Sequence, residues 1–335
     1  MNIKFFDGSM GTMLQSAGLK AGELPELLNI SSPETVLAVH RGYAEAGSEY
    51  ITTNTFGANS LKFDNYAELI KTGVKLAKSV GKKVLLDIGP TGKLLKPMGD
   101  LDFDDAIEIF AQMIRAGKDG ADAVLIETMS DTYEIKAAVL AAKENCDLPI
   151  YVTMIFDEKG RLLTGADIKT AVTMLEGLGI DAIGFNCGLG PKQMLPFVEE
   201  IRRHTELPII LQPNAGLPES VNGQTVFNVT PKEFADDMEK AAHIGVSFLG
   251  GCCGTTPEHI RQMIERCREI PASVPEKKSF SRVSSYSEMV DLGVKPIVIG
   301  ERINPTGKKL FKEALRRNDI DYIIKEGITQ RDAGA

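Results

Sequence analysis

The sequence predicts an α/β protein built around a (β/α)8 barrel. Eight short apolar runs rich in β-branched residues alternate with longer amphipathic stretches. The runs are apolar along both faces, which is typical of parallel strands covered by helices. Eight such units is the number that closes a barrel, whereas an open doubly wound sheet is the alternative. The chain has 335 residues, 43% of them hydrophobic, and can bury a core of this size.

The alternation of strands and helices gives each element a place in the chain. The predicted strands are "NIKFFDG" (2–8), "SEYITTNT" (48–55), "KVLLDIGP" (83–90), "DAVLIETM" (122–129), "PIYVTMIF" (149–156), "DAIGFNCG" (181–188), "PIILQPNAG" (208–216) and "VSFLGGCCG" (246–254). Several helical segments end in a glycine just before the next strand, where a left-handed C-cap is expected. These glycines are Gly47, Gly120, Gly179 and Gly245.

The composition and periodicity of the sequence change after the barrel, which is predicted to occupy residues 1–270. Residues 271–289 are rich in Pro, Ser and Lys without strand or helix periodicity, and therefore predict a linker. Residues 290–335 carry a strand pattern in "KPIVIGERIN" and then helical segments. Because this stretch is too short to bury a core, we expect the truncated start of a second domain.

Charge and composition limit the partners. The chain carries 38 Lys and Arg against 46 Asp and Glu, a formal net charge of -8, which argues against nucleic acid and against a membrane surface. The N-terminus lacks the apolar core of a signal peptide, and no apolar run approaches the ~20 residues of a membrane span. The sequence therefore predicts a cytoplasmic protein that acts on small molecules.

Three cysteines at strand ends carry the sharpest chemical signal. Cys187 follows the sixth predicted strand, and the adjacent Cys252 and Cys253 follow the eighth. Only the seventh strand separates these two in a closed barrel, so the three thiols can meet at one mouth and bind zinc with an open fourth position. Packing or a vicinal disulfide is the alternative. Three thiolates make zinc a poor activator of water but suit a thiol substrate, which indicates alkyl transfer to sulfur.

Other strand ends supply polar groups for a substrate. Each of them could equally cap a turn or a helix. A carboxylate that follows an apolar strand would be costly unless it met a cation, such as the ammonium group of an amino acid. The candidates are Asp7, Gly8, Ser9, Asn54, Glu127 and Asn214.

Several motifs, in this order and spacing, resemble the homocysteine-binding zinc barrel of the homocysteine S-methyltransferases. The motifs are "DGSMGT", "TTNTFGAN", "ET", "GFNCGLGP", "PNAG" and "GGCCGTTPEHI". The resemblance covers residues 1–270. The continuation "VIGERINPTGKK" is similar to the opening of the pterin-binding (methyltetrahydrofolate) barrel of cobalamin-dependent methionine synthases. It implies that residues 290–335 begin a second α/β barrel.

The resemblance implies a role for most of the candidates. Cys187, Cys252 and Cys253 would bind catalytic zinc, Asp7 and Glu127 would contact the amino group of L-homocysteine, and Gly8 and Ser9 would receive its carboxylate. Asn214 matches a position near the zinc that could supply a weak oxygen ligand before substrate arrives.

The reaction implied is methionine formation from a zinc-bound homocysteine thiolate. The methyl group would come from methylcobalamin, and originally from 5-methyltetrahydrofolate, which makes the cobalamin-binding domain and the complete folate-binding domain partners outside this chain. A homocysteine methyltransferase that uses betaine or S-methylmethionine is the alternative. A zinc hydrolase is disfavoured by sulfur-only ligands and the absence of a histidine base at a strand end. A redox module that cycles its cysteines through disulfides is the third possibility.

Overall fold

The computed structural model describes residues 2–20, 22–221, 224–273, 275–293 and 295–335. These residues form two compact units. Met1–Lys278 and Ser284–Met289 make the first, and Ser279–Val283 and Val290–Ala335 make the second. No helix in the described ranges is both long enough and apolar enough to span a bilayer.

The described residues contain twelve strands and twelve α-helices. The strands are β1 (Lys4–Phe5), β2 (Tyr50–Thr52), β3 (Lys83–Ile88), β4 (Ala123–Met129), β5 (Ile150–Met154), β6 (Ala182–Asn186), β7 (Ile209–Gln212), β8 (Pro218–Val221), β9 (Gln224–Phe227), β10 (Phe248–Leu249), β11 (Ser281–Ser284) and β12 (Met289–Leu292). The helices are α1 (Met10–Ser16), α2 (Leu28–Ser31), α3 (Pro33–Ala46), α4 (Tyr66–Lys78), α5 (Phe103–Gly117), α6 (Thr132–Asn145), α7 (Ile168–Leu178), α8 (Pro191–His204), α9 (Pro231–Ile244), α10 (Pro257–Cys267), α11 (Lys309–Arg316) and α12 (Ile320–Asp332).

The first unit is the predicted (β/α)8 barrel. Its eight parallel strands lie in the order β1, β10, β7, β6, β5, β4, β3, β2, and each corresponds to a predicted strand. At the seam the Glu49 N–H donates to the Phe5 carbonyl at 2.8 Å, so the sheet curls until its two edges nearly meet. An open doubly wound sheet is therefore wrong.

Alternate residues of the strands face two different cores. On β3, Leu85 points into the barrel, whereas Val84 and Leu86 pack against the surrounding helices. Aromatic rings fill the barrel interior: the Phe6 ring centroid lies 5.2 Å from those of both Tyr50 and Phe248. The barrel is thus a packed core below its mouth, and it exposes its chemistry only at the strand ends.

Three of the four predicted glycine caps form at helix ends. Gly47, Gly179 and Gly245 take the predicted left-handed conformation after α3, α7 and α9. Gly120 does not; it closes a 3-10 turn after α5, where a β-carbon would lie 2.4 Å from Val74 Cγ1. This glycine is required by close packing and not by a left-handed cap.

The structure contains two hairpins that the sequence analysis did not predict. Strands β8 and β9 pair antiparallel between β7 and α9. Their connection, Asn222 and Gly223, is a typical hairpin dipeptide that lies outside the described residues. Strands β11 and β12 form the second two-stranded sheet, partly within the predicted linker.

The second unit contains α11 and α12. The Phe311 and Tyr322 rings meet at 6.2 Å, and Phe311 is the buried side chain of this pair. The strand predicted from residue 295 onward does not form: Val298 and Ile299 have no regular secondary structure and are exposed. A strand needs a hydrogen-bonded neighbour, and none of the described strands pairs with this segment.

His40 on α3 is an unusual member of the barrel's outer core. Its side chain is fully buried, and neither ring nitrogen has a hydrogen-bond partner within the described part of the chain. Burial lowers the pKa of His40 from 6.5 to about 4. Between these pH values the unfolded chain binds a proton that the folded chain does not, so the free energy of unfolding falls as the pH falls.

Replacing His40 with Leu should flatten this pH dependence. The difference in the free energy of unfolding between the wild type and His40→Leu should change by about 3 kcal/mol between pH 7 and pH 4, because Leu has no charge to bury. Urea denaturation across this pH range measures it, with the exposed His243→Gln as a control for loss of an imidazole. If the free energy of unfolding has the same pH dependence in the wild type and in His40→Leu, His40 is protonated as readily in the folded state as in the unfolded state.

Candidate functional site

The three predicted metal-ligating cysteines meet at the mouth of the barrel. The sulfur atoms of Cys187, Cys252 and Cys253 all lie within 4.8 Å of one another, and the Cys187 and Cys253 sulfurs are 3.9 Å apart. All three cysteines are free thiols. The chain thus brings β6 and β10 close enough for one soft metal ion to contact three sulfurs.

The adjacent cysteines can face one centre because the strand has already ended. β10 stops at Leu249, and the backbone of the following loop bonds to its neighbours on both sides. The Gly251 N–H donates to the Asp7 carbonyl at 3.0 Å, and the Cys252 N–H donates to the Pro213 carbonyl at 2.8 Å. The loop is therefore fixed to the ends of β1 and β7 and not to a strand ladder.

Cys187 is held in a conformation that few residues adopt. Its φ is 58°, in the left-handed region, while its N–H donates to the Gln212 carbonyl at 3.1 Å. Hydrogen bonds from the Cys252 and Cys253 thiols lower the pKa of Cys187 to about 3, and the same contacts raise the pKa of Cys252 well above its usual value. Even without a metal, the cluster favours a thiolate at Cys187.

Asn214 supplies an oxygen beside this cluster. Its side chain lies close enough to Cys187 to help lower the pKa of that thiol, and its Oδ1 is buried without a partner among the described residues. An unpartnered buried oxygen is costly unless it meets a ligand. Three converging thiols and this oxygen form a donor set that fits zinc.

Asp7 joins the first and second strands. Its Oδ2 accepts from the Thr52 N–H at 2.8 Å and its Oδ1 accepts from the Thr52 hydroxyl at 2.7 Å, across the seam between β1 and β2. Burial raises the pKa of Asp7 to about 7, although the bonds from Thr52 oppose the shift. A carboxylate oxygen can accept more than one hydrogen bond, so Asp7 retains capacity for a ligand.

Glu127 and Asp87 add two further acids at the same mouth. Burial, followed by the charges of Asp7 and Cys187, raises the pKa of Glu127 to about 8. Burial and then Glu127 raise the pKa of Asp87 well above its usual range, and its Oδ1 has no partner in the described ranges. No Lys or Arg of the described residues offsets these three acids. The site is therefore prepared for a cation.

Gly8 and Ser9 form the turn between Asp7 and α1. A β-carbon on Gly8 would lie 2.6 Å from Thr255 Oγ1 and 2.9 Å from the Tyr43 ring, so no side chain fits. The Ser9 N–H donates to Thr255 Oγ1 at 3.1 Å, and Ser9 Oγ accepts from the Thr12 N–H and hydroxyl. The Ser9 backbone donor is already used, while its own hydroxyl hydrogen remains available.

Asn54 has a different environment from the other candidates. Its amide nitrogen donates to the Pro25 carbonyl at 2.8 Å and to Asn29 Oδ1 at 3.0 Å, while the Asn29 side chain donates back to the Asn54 carbonyl. These bonds fix the loop after β2 to the segment that precedes α3. The contacts of Asn54 are those of a residue that stabilises this loop.

Sequence reasoning missed several residues of the site. Thr52 and Asp87 lie within the predicted strands 48–55 and 83–90, three residues before the end of each, and were not singled out. Asn186 precedes Cys187, and Thr255 follows the cysteine pair. The motifs "GFNCG" and "GCCGTT" contain both, but no spacing rule assigns a partner to an amide or a hydroxyl.

A barrel with three thiols, the buried acids Asp7 and Asp87 and the partly buried Glu127 at one mouth defines a protein able to hold a soft metal beside a small cationic molecule. The chain belongs to the homocysteine S-methyltransferase family, because the sequence model of that family matches residues 4–267.

Two relatives and one solved structure extend the comparison. Methionine synthase of Mycobacterium leprae (strain TN) is 32% identical over 364 residues, and that of Mycobacterium tuberculosis (strain ATCC 25618 / H37Rv) is 33% identical over 368. Each alignment covers 98% of this chain but only 30% of the relative. The homocysteine methyltransferase MmuM from Escherichia coli, in its metallated form, has a TM-score of 0.68 at 22% identity, over 79% of this chain and 96% of that chain. That likeness confirms the fold.

Replacing Thr255 with Val should destabilise the mouth. The variant leaves the Ser9 N–H without its acceptor and the Cys252 carbonyl without the Thr255 hydroxyl, which donates to it at 2.7 Å. We expect a loss of about 1–3 kcal/mol in the free energy of unfolding, measured by urea denaturation. The matched control, Thr173→Val on α7, removes only a local bond to the Lys169 carbonyl and should cost less. Equal losses would show that the Thr255 contacts carry no special weight.

Proposed function

We propose that this chain is the homocysteine-activating part of a methionine synthase. The observation that carries the proposal is that the thiols of Cys187, Cys252 and Cys253 and the acids Asp7 and Glu127 lie at one mouth, with Glu127 close enough to Asp7 and Cys187 for their charges to raise its pKa. A thiol amino acid has one group for the thiols and one for the acids. The names of the two mycobacterial relatives support the same reading, since their similarity extends through 98% of the chain.

The thiol side would hold zinc through Cys187, Cys252 and Cys253, with Asn214 as a weak oxygen donor in the absence of substrate. Zinc bound to three thiolates supplies a site where a substrate thiol loses its proton and stays nucleophilic. The protein holds the three sulfurs in place through the backbone bonds of residues 251–253. The cluster is half-buried, which limits the access of water to a bound thiolate.

The amino acid side would orient the substrate. An ammonium group has three N–H donors and would offset the negative charge shared by Asp7, Glu127 and Asp87. The substrate carboxylate would lie at the Gly8–Ser9 turn, where the Ser9 hydroxyl can donate. These contacts fix the substrate sulfur toward the opening of the barrel, where a methyl donor can approach.

The methyl group would come from methylcobalamin, loaded from 5-methyltetrahydrofolate. In the transfer a bond forms between the substrate sulfur and the methyl carbon while the bond from that carbon to its donor breaks. Residues 1–270 would form the homocysteine barrel, 271–289 the linker, and 290–335 the start of the pterin-binding domain. The partners would be the cobalamin-binding domain and the rest of the folate-binding domain, in the cytoplasm. Betaine and S-methylmethionine are the competing donors.

X-ray absorption at the zinc edge tests the metal half of the proposal. The purified zinc-loaded chain should give three sulfur neighbours and one lighter atom, and L-homocysteine should convert this to four sulfurs. Cys253→Ser should lower the zinc content and remove one sulfur from the first shell. A zinc shell that is unchanged by homocysteine would contradict a thiol-binding site.

Replacing Glu127 with Gln tests the amino acid half. The variant keeps the size of the side chain but has no carboxyl group that can ionise beside the ammonium group, so binding of homocysteine should weaken by about tenfold or more. Binding of 4-mercaptobutyrate, which lacks the amino group, should change little. Isothermal titration calorimetry on the zinc-loaded chain measures both, with the exposed Glu269→Gln as the control. Equal weakening of both ligands would place Glu127 away from the amino group.

A further inference from the structure

A side-chain bridge connects the two halves of the site. Asn186, at the end of β6, is fully buried and precedes the metal-ligating candidate Cys187. Its Oδ1 accepts from the Thr128 N–H at 2.9 Å, and its Nδ2 donates to the Thr128 hydroxyl at 2.6 Å. Thr128 directly follows Glu127. The bridge therefore links Asn186, the neighbour of Cys187, to Thr128, the neighbour of Glu127.

The bridge connects strands that the sheet itself does not pair. β5 lies between β4 and β6 and bonds to both of them. The register of β4 against β5 shifts between Ile126 and Met129, which is where Glu127 and Thr128 lie. In this stretch the strand ladder does not fix the position of Glu127, so the paired bonds of Asn186 do.

The backbone on both sides of the bridge is in an uncommon conformation. Thr128 has a φ of 59° and Cys187 a φ of 58°, although neither is a glycine. A β-branched residue rarely adopts left-handed dihedrals, and such residues persist where surrounding contacts hold them. The two hydrogen bonds from Asn186 are contacts of this kind for Thr128. They hold the backbone that follows Glu127 beside the residue that precedes Cys187.

We propose that Asn186 is a positioning residue that sets the distance between the acid and thiol ends of the site and so selects homocysteine over cysteine. This inference rests on the proposed function. The two amino acids differ by one methylene between the α-carbon and the sulfur. If the spacing is rigid, only an amino acid long enough to contact the acid and thiol ends at once binds well. If the spacing is looser, the shorter cysteine can contact both ends too.

The test compares binding of L-homocysteine and L-cysteine to the zinc-loaded chain by isothermal titration calorimetry. Asn186→Ala removes both bonds and should reduce the ratio of the two affinities by about tenfold or more, with the zinc content unchanged. Thr128→Val keeps the branched shape but loses the hydroxyl, so it should reduce the ratio by a smaller factor. Thr128→Ser keeps both bonds and should preserve more of the ratio than Val does. Asn145→Ala, at the end of α6, is the control for loss of an amide.

The outcomes separate this inference from the function on which it rests. Wild-type protein that binds neither amino acid would contradict the proposed function. Wild-type protein that prefers homocysteine, together with Asn186→Ala that weakens both ligands equally, would overturn the positioning role and leave the function intact. If Asn186→Ala does not fold, the Val and Ser variants of Thr128 decide the matter, because equal ratios in these two would also overturn it.

Discussion

The two hydrogen bonds between Asp7 and Thr52 are the contact on which the rest of the site depends. The edge strands β1 and β2 do not pair through a regular ladder, so a side chain closes the barrel at its mouth. The same side chain places an ionisable group in that mouth, and the backbone carbonyl of Asp7 accepts from the Gly251 N–H of the cysteine loop. Asp7 thus closes the barrel, adds an acid to the site and holds the loop that carries Cys252 and Cys253.

The mouth concentrates charge at a cost to stability. Asp7, Asp87 and Glu127 lie together in a buried setting, and burial raises the pKa of each. Packing at the strand ends alone would favour apolar residues there, as it does one layer lower at Leu85 and Leu125. Under the proposed function a bound ammonium group would recover this stability, so part of the ligand's binding energy would offset the cost.

The sequence was sufficient for the barrel and for the sulfur cluster. Strand periodicity and strand count are local signals, and Cys187, Cys252 and Cys253 are rare residues whose positions follow from the order of parallel strands. The bridge between Asn186 and Thr128 could not be predicted, because it depends on a register shift and on backbone dihedrals that no periodicity records. The segment after residue 295 shows the same limit, since its pattern suits a strand but pairing decides whether one forms.

The aromatic packing of Phe6, Tyr50, Tyr151 and Phe248 has a consequence for the order of events in catalysis. These rings fill the barrel below its mouth. Under the proposed function, homocysteine, the methyl donor and the methylated product therefore all use the same opening. The amino acid must enter first, because a large donor seated over the mouth would shut it out. Methionine can then depart only once the donor has withdrawn. The packing of the barrel would thus impose an ordered mechanism, in which homocysteine binds before the methyl donor and methionine is released after the donor has left.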